Sequence, residues 1–310
     1  MTRVGYARDF YTFFYFLTTQ IPIFKDITIK NFNINNLNQV TLTHLEIYLS
    51  YLSMYTNKNG KLCMNNEQAK LRKISSVRSM FKYFYNKGKL DENVSSKIIM
   101  PKLHDKEIIR LDKEEISDFI DTVDNGNGLS KRENSYHKIN HKRDLAITTL
   151  LLGTGIRISE CVGLNIDDID FEKKAFQITR KGGNQVILYF SDEVRDILFD
   201  YYLERMDNEK VDENEKALFL SLQNKRITVR AVENLVKKYA QISTPLKNIS
   251  PHKLRSSYGT QLYRETRDIY VVADVLGHTD VNTTKKHYAA ISEDIRKNAA
   301  NVVTLRDEND

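Results

Sequence analysis

The chain has 310 residues, more than one core comfortably organises, so two domains are the default expectation. With 41% hydrophobic and 28% charged residues the composition is that of an ordinary globular protein, and no run approaches the roughly 18 unbroken apolar residues of a membrane span. The net charge is +6, and the two cysteines, Cys63 and Cys161, lie far apart, which argues against a disulfide framework or a zinc site and for a reducing cytoplasm.

At the N-terminus, Phe10, Phe13, Phe14 and Leu17 recur at helical spacing, and Arg8 and Asp9 interrupt the apolar patch, so an amphipathic helix is expected rather than a signal peptide. Leu45, Tyr48, Leu49 and Leu52 predict a second helix. A third, over 66–87, carries Ile74, Val77, Met80, Phe81 and Phe84 on one face, and Asn86, Lys87 and Gly88 end it. Its other face bears Lys70, Arg72, Lys73, Arg78 and Lys82, a basic stripe suited to DNA phosphates. Residues 61–113 hold thirteen Lys or Arg against six Asp or Glu, a net +7 that exceeds the whole-chain total. The first hundred residues therefore read as a small all-helical domain whose basic face suits a phosphate backbone, with a solvated helix face as the alternative.

Residues 98–110, IIMPKLHDKEIIR, read as an inter-domain linker, and Asp112-Lys-Glu-Glu115 fits a capping box that opens the next helix and domain. The polar stretch DNGNGLSKRENSYHKIN (124–140) reads as a surface loop. An apolar helix then stops at Gly153-Thr-Gly155. Short runs over 168–190 predict a three-stranded antiparallel sheet with a hairpin around Gly182-Gly183. Helices are expected over 192–206, 228–241, 251–264, 268–276 and 282–290. The fold class is mainly α, with the second domain carrying the small sheet. The expected boundaries are 1–103 for the helical domain, 104–111 for the linker, 112–290 for the second domain and 291–310 for a C-terminal helix or tail.

Four clusters carry chemistry. Arg157 opens a helix with Glu160 one turn on to hold its guanidinium. Ser250-Pro251 reads as an N-cap and first helical position, which puts His252 and Arg255 on one face near the positive end of the helix dipole. Gly277 is a helix stop that leaves His278 in a turn, and Tyr288 follows ten residues later. Lys181 lies on the hairpin between the first two clusters. Two arginines bind phosphate oxygens without risk of deprotonation, a phenol needs nearby cations to become a nucleophile, and a lysine of lowered pKa can protonate a leaving oxygen. No carboxylate pair is spaced to hold Mg²⁺ and no GxxxxGK[ST] loop is present, so neither metal nor nucleotide cofactor is expected.

The order TGIRISE, RKGGNQ, HKLRSSYGT and VLGHTDVNTTKKHY resembles the tyrosine recombinase (phage integrase) family, its Xer-like members most of all. The likeness is close over about 110–290 and looser over 1–100. It implies a helical core-binding (SAM-like) domain followed by a DNA-breaking-rejoining catalytic domain, together forming a C-shaped clamp around duplex DNA. It further implies that Arg157 and Arg255 clamp the scissile phosphate and that Tyr288 attacks it to give a 3′-phosphotyrosyl intermediate. Lys181, rather than Arg180, Lys173 or Lys174, would be the general acid. His252 would assist proton transfer from Tyr288, His278 would donate to the phosphate and Glu160 would support Arg157. The implied activity is metal- and ATP-independent site-specific recombination, in integration, excision or dimer resolution. The partners would be double-stranded DNA and further protomers, as a homotetramer on two DNA sites or with a paralogous recombinase. Ile291, Ile295, Ala299 and Val302 or Val303 would form a helix that docks on a neighbouring protomer or on its own domain. Three other readings are a type IB topoisomerase, a catalytically silent DNA-binding protein and a metal-dependent nuclease.

Overall fold

The computed structural model describes residues 3–101, 109–180, 182–278 and 280–281. The chain divides into two compact units, Met1–Lys106 and Glu107–Asp310. Among the described residues no helix is long and apolar enough to cross a membrane.

The first unit holds α1 (Arg3–Gln20), the short α2 (Ile34–Asn38), α3 (Leu42–Ser53) and α4 (Glu67–Asn86). Its core is aromatic: Phe13 meets Tyr48 and Phe81 edge-on, with centroids 5.0 and 6.3 Å apart, an arrangement that suits the ring quadrupoles. Phe13, Leu17, Leu45, Tyr48, Leu52, Ile74, Val77, Met80 and Phe81 are buried, so the apolar stripes read from the sequence face this core. The unit is not wholly helical. Strands β1 (Met54–Thr56) and β2 (Leu62–Met64) form an antiparallel hairpin in which Met54 faces Met64. Its turn is built by Asn57, whose side-chain oxygen accepts from the backbone N–H groups of Asn59 and Lys61, and by Gly60 at φ 73°. Three-residue strands are too short to leave a period-two signature, so only the Asn-Gly pair marked them.

The second unit begins with α5 (Lys113–Asn125), capped as expected by the reciprocal bonds of Asp112 and Glu115. The stretch expected to loop over 124–140 instead becomes helix after one short turn. Gly126 ends α5 in the left-handed region, and α6 runs over Lys131–Thr154. Ser130 and Glu133 form the capping box that starts α6, and His137 Nε2 bonds the Val123 carbonyl at 2.8 Å. The first half of α6 is polar on nearly every side, so it has no stripe to recognise; the second half, Ala146–Leu152, is buried all round.

The helix α7 (Ile158–Gly163) leads to the sheet β3-β4-β5 (Ile169–Asp170, Ala175–Thr179 and Gln185–Tyr189), all antiparallel. The β4–β5 turn contains Gly182 and Gly183 at positive φ, conformations that a side chain would strain. Four further helices are α8 (Asp192–Met206), α9 (Val229–Ser243), α10 (Pro251–Thr266) and α11 (Ile269–Leu276). The expected helix over 282–290 and the tail 291–310 lie outside the described residues, as does most of the expected linker.

Candidate active site

The two glycine-terminated helices α6 and α11 organise the site. Gly155 closes α6 at φ 61°, and a Cβ there would stand 2.4 Å from the Tyr258 ring and 2.9 Å from Leu276. The tight approach brings the C-terminal turn of α11 beside that of α6. Gly277 closes α11 at φ 60°, with the His278 N–H donating back to the Ala273 carbonyl.

The last carbonyls of a helix have no intrahelical donors. Here three arginines from distant parts of the second unit supply them, one for each of three successive residues. Arg180 Nη2 donates to the Val275 carbonyl at 2.8 Å, Arg255 Nη2 to that of Leu276, and Arg157 Nη2 to that of Gly277 at 2.9 Å. Arg180 Nη1 also reaches the Asp274 carbonyl at 3.3 Å, and Arg255 Nη1 donates to Gly155. The negative end of the α11 dipole offsets the mutual repulsion of the guanidiniums.

A buried carboxylate adds to that. Glu160, its side chain 7% exposed, accepts from Arg157 Nη1 at 2.8 Å and from the Arg157 backbone N–H at 2.9 Å. It thereby caps α7 and fixes the guanidinium in one step. Burial pulls Arg180 below the usual guanidinium range, while Glu160 acts in the opposite direction and Arg157 reinforces the shift. Beneath the site, burial pushes the Cys161 thiol up to about 12, so it stays protonated and packs as a small apolar group.

Arg157, Glu160, Arg180 and His278 border a cavity of about 1020 Å³ between α7, the β4–β5 hairpin and the α11 turn. Arg157 remains 37% exposed there, while Arg255 is only 6% exposed beneath it. Its rim combines fixed cations with a half-buried imidazole, a setting that binds an oxyanion and stabilises further negative charge on it.

The expected site residues distribute unevenly. Arg157, Glu160, Arg255 and His278 gather at the α11 turn, and His252 lies exposed in the first turn of α10, three residues before Arg255. Ser250 occupies the N-cap position of α10, but its side chain makes no capping bond; Pro251 fills the first helical position. Lys181 and Tyr288 lie outside the described residues. Lys173 and Lys174, at the β3–β4 turn, are engaged with Asp170 and Asp192 at 2.9 and 2.7 Å. Arg180, passed over in the sequence in favour of its neighbour, is the third member of the arginine cluster; the charged pair before Gly182-Gly183 was its only sequence signal.

The basic stripe on α4 does not stand free along its length. Arg72 and Lys73 turn toward the fully buried Asp9, which also accepts from Ser76 Oγ at 2.8 Å, and Lys70 pairs with Glu67. Arg78 and Lys82 instead line a polar groove of about 260 Å³ with Ser75, Ser79 and Ser96.

The phage integrase family model matches residues 109–294. A tyrosine recombinase XerC of Caldanaerobacter subterraneus subsp. tengcongensis is 34% identical over 99% of this chain and 82% of its own length. Among solved structures, the Tn1549 transposon integrase in complex with transposon right-end DNA aligns with a TM-score of 0.70 at 15% identity, covering 96% of this chain and 92% of that one. The XerH site-specific recombinase bound to difH in a pre-cleavage complex aligns at 0.67 and 21% identity, over 96% of this chain and 79% of that one.

Proposed function

The chain belongs to the phage integrase family of tyrosine recombinases, and from that premise we propose that it recombines double-stranded DNA at specific sites. The observation that carries the reading is the meeting of Arg157 and Arg255 on the adjacent carbonyls of Gly277 and Leu276, beside His278. Two forked cations held at one point suit a single phosphodiester, whose non-bridging oxygens gain charge as the phosphorus is attacked.

In the proposed reaction the Tyr288 phenol oxygen bonds to the scissile phosphorus and the bond from phosphorus to the 5′-oxygen breaks. The result is a 3′-phosphotyrosyl link and a free 5′-hydroxyl. His252 takes up the phenol proton, Lys181 supplies the proton of the leaving hydroxyl, and Arg157, Arg255 and His278 hold the phosphate. Glu160 keeps Arg157 in place. Because the tyrosyl ester conserves the energy of the broken bond, a 5′-hydroxyl from a partner strand reverses the chemistry without ATP. Exchange needs two sites at once, so the working form is a tetramer on two duplexes, of this chain or with a paralogous recombinase. The free thiols Cys63 and Cys161 suit a reducing cytoplasm.

A nicked suicide duplex, carrying the site footprinted in DNA flanking the native gene, tests this. The short fragment released with the free 5′-hydroxyl is lost by diffusion, so a covalent protein–DNA complex should accumulate, in EDTA as in buffer. Tyr288→Phe should form none. Relaxation of supercoiled plasmid without site preference, and without joining of two sites, would instead indicate a topoisomerase.

A further inference from the structure

We propose that Arg180 is a positioning residue for leaving-group protonation: it latches the end of β4, immediately before Lys181 in sequence, to the α11 turn that carries His278. The inference rests on the strand-transfer reading above and on the assignment of Lys181 as its general acid.

Arg180 is the first residue after β4, and its backbone N–H donates across the hairpin to the Asn184 carbonyl at 2.8 Å. A hairpin arginine at such a place would ordinarily extend into water. This one folds back, half-buried, and uses its fork on the carbonyls of Asp274 and Val275 at 3.3 and 2.8 Å. Among the described residues its Nε is buried without a hydrogen-bond partner, an arrangement that costs free energy and persists only where the other contacts hold the group in place. The seat is shaped for it: a Cβ on Gly277 would lie 2.2 Å from Nη1. Arg157 and Glu160 act on the same guanidinium electrostatically, so the latch belongs to the phosphate-clamping cluster. The two carbonyls lie one and two residues before that of Leu276, on the N-terminal side of those that Arg255 and Arg157 reach. What Arg180 adds is a tie between the β4–β5 hairpin and the α11 turn, which line the same cavity.

A proton donor on an untethered hairpin would reach the 5′-oxygen only part of the time, and general acid catalysis is sensitive to such placement. In the step concerned, the bond from Tyr288 to phosphorus forms, the bond to the 5′-oxygen breaks, and one proton passes from Lys181 to that oxygen. Replacing the bridging 5′-oxygen by sulfur removes the need for this proton, because a thiolate leaves unprotonated far more readily than an alkoxide.

The experiment compares cleavage of two nicked suicide duplexes, identical except for a bridging oxygen or a bridging sulfur at the scissile phosphate. On the oxygen duplex, Arg180→Ala should cleave about 10- to 100-fold more slowly than the unaltered protein, within the range attributed to general acid catalysis. On the sulfur duplex its rate should return to that of the unaltered protein. Arg180→Lys should behave like Arg180→Ala, since one ammonium cannot fork between the two carbonyls. Arg157→Ala should be slow on both duplexes. Arg180→Gln keeps the stem and provides the same comparison should the alanine variant fail to fold. The proposal is overturned if the Arg180 variants are equally slow on both duplexes, or cleave the oxygen duplex at the unaltered rate. If Lys181→Ala is not restored by sulfur, the general-acid assignment beneath the proposal fails, whatever Arg180 does.

Discussion

A Cβ on Gly277 would stand 2.3 Å from Cζ of Arg180, so the guanidinium occupies the space that any side chain at 277 would need. Position 277 is also at φ 60°, where an L-residue is destabilised by roughly 1–2 kcal/mol. Gly277→Ala therefore combines backbone strain with displacement of Arg180. Gly88 separates the two effects: it has φ 64°, but a Cβ there would meet nothing within 4 Å. Both variants should melt a few degrees lower, by about 2–4 °C per kcal/mol in the larger unit that holds Gly277 and about 4–8 °C in the smaller one that holds Gly88. Only Gly277→Ala should also lose cleavage of the suicide duplex, by about tenfold or more on the same scale as a lost general acid. Equal cleavage by the two variants would show that the contact is incidental.

Glu160 makes a prediction of a different kind. It accepts both the backbone N–H and the Nη1 of Arg157. Glu160→Gln keeps the shape and one acceptor oxygen but removes the charge. Cleavage should fall by about tenfold, the equivalent of 1.4 kcal/mol, a modest share of a charge-assisted bond. Duplex affinity, measured by gel shift, should change less than cleavage does, because it is spread over many phosphate contacts. A matching loss of affinity and cleavage would mean that Glu160 acts on DNA binding rather than on Arg157.

Much of this architecture was legible because the signals are local. The aromatic stripes of α1, α3 and α4 face their core, and the spacing of Arg157 from Glu160 and of His252 from Arg255 follows from single helical turns. The meeting of Arg157, Arg180 and Arg255 on three successive α11 carbonyls left no such signal. Backbone acceptors are the same in every sequence, and which arginine reaches which carbonyl depends on how α6, α10, α11 and the hairpin pack. The same reasoning explains the basic stripe of α4: nothing in the sequence tells Arg72, turned to buried Asp9, from Arg78, which lines an open groove.

That distinction can be tested. Arg78→Ala and Lys82→Ala should each weaken duplex binding and each reduce the slope of log affinity against log salt by about one. Neither should shift the melting temperature appreciably. Arg72→Ala should instead destabilise the fold by about 1–3 kcal/mol, because it removes a charged partner from the buried Asp9 carboxylate. A variant of Arg72 that melts normally and binds DNA poorly would reverse this assignment.

The unexpected first half of α6 depends on its cap. Ser130 Oγ accepts from the Glu133 N–H at 3.4 Å, and the Glu133 carboxylate accepts from the Ser130 N–H at 2.9 Å. Ser130→Ala should cost about 1 kcal/mol at neutral pH. The side-chain and backbone bonds from Ser130 hold the Glu133 carboxyl below its ordinary value of 4.5. A carboxyl depressed in the folded state adds stability that is present above the unfolded value and is lost as pH falls through the folded one. The gap between the melting temperatures of the variant and the unaltered protein should therefore be constant near neutral pH and narrow as pH falls below 4.5, without closing, because the bond from the Glu133 N–H to Ser130 Oγ does not titrate. A gap that widens in acid would contradict the sign.

Arg255 is the most demanding position in the cluster. It is 6% exposed, and its two terminal nitrogens reach the Gly155 and Leu276 carbonyls, joining the ends of α6 and α11. Lysine retains the charge but is a point donor on a longer, freer stem and cannot span both acceptors in one plane. In Arg255→Lys one of these buried carbonyls loses its bond, at a cost of about 1–3 kcal/mol. The melting temperature should fall by several degrees, and the ends of the two helices should exchange amide hydrogens faster. Cleavage should fall by about a hundredfold or more, comparable to loss of one preorganised donor from an oxyanion site. Duplex binding should persist. If Arg255→Lys cleaves within a few-fold of the unaltered protein, then charge alone suffices at this position and the planar fork is not what the site requires.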